Sequence, residues 1–127
     1  MPVDPKKFEL LVDEALRDLP EDFKARLENI TVMVEDEPSR EVYKRMGIPR
    51  NHVLFGLYHG VPYPHRGPFY GNIPPDVIVI YQKPIERYST SERDMKGKVR
   101  EVVVHEIGHY FGFDDEDLRK IEKESRD

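Results

Sequence analysis

The sequence predicts an α+β fold: a small mixed β-sheet of three or four strands packed on helices, one of them long and carrying two histidines. Three observations predict it. Apolar residues recur at helical spacing near the start of the chain, short alternating or solidly apolar runs mark strands in the middle, and a long capped helical pattern follows the last of those runs. With 127 residues, 38% of them hydrophobic, a single domain over 1–127 fits the length and two independent cores do not.

The first helix is read from Phe8, Leu11, Val12, Ala15, Leu16 and Leu19, with Asp4 as N-cap, Pro5 at the first helical position and Pro20 as the stop. Glu21 to Leu27 forms a second, short helix. Asn29 to Val34 alternates Ile30, Val32 and Val34 on one side, the period of a half-buried strand. The acidic stretch after it reads as a loop and a short exposed helix ending near Gly47. His52 to Tyr58 is a second strand and Asp76 to Tyr81 (DVIVIY) a third. Between them His59 to Pro75 is too rich in Gly and Pro for helix or central strand, and a loop of that length is often functional. The longest helix opens on a capping box, Ser89 with Glu92. Its apolar positions run from Met95 and Val99 through Val102, Val103, Ile107 and Tyr110 to Phe111, and Gly112 ends it. The solid run Val102 to Val104 predicts burial around most of its circumference. The charged tail from Asp114 reads as a solvated helix.

Composition narrows the chemistry. The chain has no cysteine, which excludes disulfides, thiolate zinc sites, iron–sulfur clusters and cysteine nucleophiles, so any metal must be held by His, Asp or Glu. Twenty basic against 25 acidic side chains give a net charge of −5, and nucleic-acid binding is not expected. No apolar run approaches the roughly 20 residues that span a bilayer, and the charged start lacks the apolar core of a signal peptide. The expectation is a soluble, cytoplasmic protein.

Within that inventory the segment His105–Glu106–Ile107–Gly108–His109 stands out. Residues four apart on a helix lie about 40° from one another around its axis, so both imidazoles project from one face and one zinc ion can take a nitrogen from each. Glu106 is rotated about a quarter-turn away, off the ligand face but within reach of a water on the metal, where a carboxylate can move a proton. Extending the pattern gives H-E-x-x-H-x-x-G-x-x-D, with Gly112 reversing the chain and Asp115 offering a third ligand; Asp114 is the alternative. A bare HExxH arises by chance in on the order of one chain in a few hundred of this length, and the added Gly and Asp on an apolar helix make coincidence much rarer.

These residues resemble the small zincin-like proteins called minimal zincins, which carry HExxHxxGxxD. FGLYHG, DVIVIY and HEIGHYFGFDD stand in the family's order, so the likeness covers the whole chain. The resemblance implies a zinc metallopeptidase acting on a peptide or protein, with His105, His109 and Asp115 as ligands of one zinc and Glu106 as general base. Larger metzincins carry a methionine turn beyond the third ligand, and no Met follows Met95 in this sequence.

Substrate contacts are read more broadly. DVIVIY reads either as a sheet edge, with Val77 and Val79 against an extended peptide, or as an ordinary core strand, the first failing if both its edges are occupied; Tyr58, Tyr63, Tyr70 and Tyr110 are candidate donors to an oxyanion. Two rival functions stand beside the peptidase. One is a metal-dependent ribonuclease, disfavoured by Asp at position 115 where such enzymes show a third histidine. The other is a non-catalytic zinc-binding interaction module.

Overall fold

A computed structural model describes residues 2–26, 30–49, 51–59 and 76–112. Helix α1 (Pro5–Arg17) begins where Asp4 caps it, the carboxylate accepting from the Lys6 N–H at 2.8 Å with Pro5 in the first turn. Its apolar stripe buries Phe8, Val12 and Ala15, and Leu19 is buried just past its end. After α2 (Glu21–Arg26), strand β1 (Ile30–Glu35) turns Ile30, Val32 and Val34 inward and exposes the residues between, as its alternation requires. Helix α3 (Arg40–Met46) is capped by Ser39, ends at Gly47 and buries none of its residues.

Strand β2 (Gly56–His59) is shorter than the expected 52–58 run. The chain enters through a turn in which the His52 N–H donates to Pro49 O at 3.0 Å; Phe55 O then accepts from the Tyr81 N–H at 2.9 Å, and the regular strand pairing begins at Gly56. That neighbour is β3 (Asp76–Tyr81), which pairs in parallel with β1 from Ile30↔Asp76 to Glu35↔Tyr81 and antiparallel with β2 from Gly56↔Ile80 to His59↔Val77. The described strands form one mixed sheet ordered β1-β3-β2, so β3 lies in its middle. Its solid apolar sequence is the pattern of a strand covered on both faces.

The sequence reading missed helix α4 (Gln82–Arg87), which follows β3 without a loop. Pro84 stands in its first turn, where the missing N–H costs nothing. Two of its polar residues are buried for a purpose. Glu86 accepts from the Val3 N–H at 2.7 Å, and the Gln82 amide donates to Val3 O at 3.0 Å, tying the start of the chain to α4. Helix α5 (Glu92–Tyr110) corrects the expected cap. Ser91, not Ser89, accepts from the Asp94 N–H at 3.0 Å, and Asp94 in turn accepts from the Thr90 N–H at 2.9 Å. Ser89 instead donates to Ile85 O at 2.7 Å beyond the end of α4.

The main core lies on one side of the sheet, where Ile78 and Ile80 meet Phe8 and Val12 of α1 and Met95, Val99, Val103 and Ile107 of α5. Each such side chain contributes about 1.5–3 kcal/mol by leaving water. A smaller cluster of Leu57, Val79 and Tyr81 covers the other side. Helix α5 keeps Lys96, Gly97 and Glu101 exposed, but from Val102 to Phe111 every residue is buried or half-buried. The expected burial thus holds for the half that carries the histidines. No described helix is long and apolar enough to cross a membrane.

The α5 cap makes a pH prediction. The backbone N–H of Thr90 and then Lys98 hold the Asp94 carboxyl below its ordinary range. A depressed carboxylate stabilises the fold above its unfolded pKa, and this contribution is lost as pH falls through the folded one. Asp94→Ala is therefore expected to lower the urea midpoint near neutral pH, with the gap to wild type closing as the medium is acidified through the carboxylate range.

Candidate metal centre

The last two turns of α5 place His105 and His109 on one side, both half-buried, with their rings at 84° and their Nε2 atoms 3.0 Å apart. A tetrahedral ion with bonds of 2.0–2.1 Å would hold two ligand nitrogens about 3.3 Å apart. The rings need open by only a few tenths of an ångström, and imidazoles presenting Nε2 to one point are a donor pair suited to zinc. The pair is fixed because its helix is packed: Ile107, Gly108 and Tyr110 on the neighbouring positions are buried.

Glu106 leaves the helix on a different side and is buried, 6% exposed, with its stem against β2. A buried glutamate thus follows directly on the first of two half-buried imidazoles. Beyond them the chain turns at once. The Gly112 N–H donates to His109 O at 2.9 Å and Gly112 has φ of 81°, a conformation that favours glycine. Asp114 and Asp115 lie outside the described residues, among which no group of three or more His, Asp or Glu converges on one point.

The structure overturns the reading of Val77 and Val79 as peptide-pairing residues. Strand β3 is hydrogen-bonded to β1 on one edge and β2 on the other, so it has no free edge to offer. Their side chains also pack with Leu57, Tyr81, Val42 and Leu54, on the side of the sheet opposite the Ile78–Ile80 face that meets α5. Tyr58 is on the α5 side. Its hydroxyl donates to Asp76 Oδ2 at 3.1 Å and its ring meets Tyr110 edge-on, centroids 6.1 Å apart. Tyr110 is fully buried, His52 is exposed, His59 is half-buried at the end of β2, and Tyr63 and Tyr70 lie outside the described residues.

Asp76 was missed by sequence reasoning. It is 2% exposed at the start of β3, and a carboxylate opening an otherwise apolar strand was the available signal. Through Tyr58 it braces the end of β2 against the turn of α5 that carries His109.

The profile of the zincin-like metallopeptidase family matches residues 27–125, and the chain belongs to that family. Its fold is similar to the solved structure of a conserved hypothetical protein from Thermo thermophilus. The two share 24% identity and a TM-score of 0.56, over 92% of this chain and 98% of that one. No curated protein matches the chain.

The brace is testable. Removing the Tyr58 hydroxyl takes one donor from a buried carboxylate, a loss of about 1–3 kcal/mol. Tyr58→Phe is expected to lower the unfolding free energy by that amount in chemical denaturation, with the slope against denaturant unchanged.

Proposed function

We propose that the chain is a zinc-dependent metallopeptidase that hydrolyses a peptide bond in a peptide or protein. The observation that carries this reading is the pair of Nε2 atoms 3.0 Å apart on a packed helix whose intervening residue Glu106 is buried. His105 and His109 would hold the ion through Nε2, with Asp115 as third ligand and Asp114 as the alternative. Zinc, when bound, acidifies a water and polarises the scissile carbonyl.

The chain's residues do the rest. Glu106 takes the proton of the attacking water on its carboxylate and returns it to the leaving amine nitrogen. Strand β2, not β3, is the strand beside α5 that ends the sheet among the described residues. A substrate in extended form would add there, giving and taking backbone hydrogen bonds along Gly56–His59.

Zinc-loaded wild type is expected to hydrolyse labelled, unfolded casein and to lose that activity to a chelator. Glu106→Gln should keep its zinc and lose turnover by about 100-fold or more, whereas His105→Ala and His109→Ala should lose the metal itself. Of Asp114→Ala and Asp115→Ala, the second is expected to weaken zinc binding. Full activity in Glu106→Gln would refute the mechanism, and failure of wild type to bind added zinc would refute the reading as a whole.

A further inference from the structure

Gly56 is where β2 presses on α5. A Cβ built there would lie 2.8 Å from Val102 Cγ1, 3.2 Å from Glu106 Cγ and 3.2 Å from Val79 O. Carbon atoms in ordinary contact stay about 3.5–4.0 Å apart, so the Val102 and Glu106 side chains and Val79 O already fill the space a side chain at Gly56 would need. Val102 and Glu106 are one turn apart on α5, and both face this point. Two residues further along β2, Tyr58 meets Tyr110, four residues further along the helix. Two strand residues advance about 6.6 Å and four helical residues about 6 Å, so strand and helix keep step over this contact. Nor can β2 retreat, because its Gly56–His59 backbone is paired with β3 from Ile80 to Val77.

We infer that Gly56 is a positioning residue for Glu106: the absence of a side chain at this one place lets β2 lie against the Glu106 stem and fix how far its carboxylate reaches toward the His105–His109 pair. The inference rests on the reading of Glu106 as proton carrier, yet its geometric part can be measured without zinc or substrate. Gly97, on the same helix, has nothing within 4 Å of the place its Cβ would occupy, so Gly97→Ala is the matched control.

The test compares Gly56→Ala, Gly56→Ala/Val102→Ala and Gly97→Ala with wild type. The second Ala removes the 2.8 Å clash with Val102 and leaves the 3.2 Å approach to Glu106, separating loss of packing from displacement of the carboxylate. Three quantities are read: bound zinc, kcat and KM on a labelled peptide, and the 13C shifts of Glu106 in glutamate-labelled, metal-free protein, assigned through Glu106→Gln. Both Gly56 variants are expected to bind zinc as wild type does and to shift the Glu106 resonances. Their kcat should fall about tenfold to 100-fold at unchanged KM, the scale of a misplacement of about 1 Å. The double variant should regain stability without regaining turnover, and Gly97→Ala should shift nothing. Glu106 resonances unmoved in either folded Gly56 variant, or turnover recovering together with stability, would overturn the inference. So would failure of the double variant to fold, which would make Gly56 a requirement of the fold alone. If wild type binds zinc but cleaves no peptide, the peptidase reading falls while the Glu106 resonances still decide the role of Gly56.

Discussion

Two imidazole nitrogens 3.0 Å apart are an arrangement that a free helix would not keep. Each side chain has two rotatable bonds, and neighbours one turn apart on an exposed helix sample several rotamers. Here the same turns that present His105 and His109 are packed through Val103, Ile107 and Tyr110, so the backbone beneath the rings does not give. The main core is in this sense the support of the site. Phe8 and Val12 of α1 and Ile78 and Ile80 of β3 pack with α5 in one cluster, and the histidines lie half-exposed between the buried positions.

The consequence is a division of the helix into three kinds of surface within one turn and a half. One side is apolar and closed by α1 and the sheet, one is half-wet and carries the imidazoles, and one is dry and carries a carboxylate. The order of strands makes the third possible. Because β2 lies at the edge and against α5, it can approach Glu106 with its backbone, while β3 serves as the sheet's interior and β1 lies on its far side.

Much of this was legible in the sequence wherever the information was local. The α1 stripe with its Asp4 cap, the alternation in β1, the solid apolar run of β3 and the HEIGH turn are all periodic or positional signals, and each lies where its pattern put it. The failures were non-local. Strand order is not written in any one strand, and a run covered on both faces reads the same whether it lies at an edge or in the middle; hence Val77 and Val79 were misassigned. Helix α4 has too few apolar positions to show a period, and its buried Gln82 and Glu86 both bond to Val3, some 80 residues away, as well as to each other. The cap of α5 moved from Ser89 to Ser91 because two serines offered the same chemistry, and Ser89 found a partner in α4 instead.

That bond between Val3 and Glu86, spanning 83 positions, bears on the order in which the chain assembles. The parallel pairing of β1 with β3 also joins residues 46 apart, from Ile30 to Asp76. Contacts of such separation are reached only after long loops have closed, and chains dominated by them fold more slowly than helical bundles of equal size. Of the described elements α1 emerges first during synthesis, yet the surface it covers, made by β3 and α5, emerges last. Its apolar stripe therefore stays without its native cover while the elements between are made, and the face of α5 that packs on α1 is closed only when the two ends of the described fold meet.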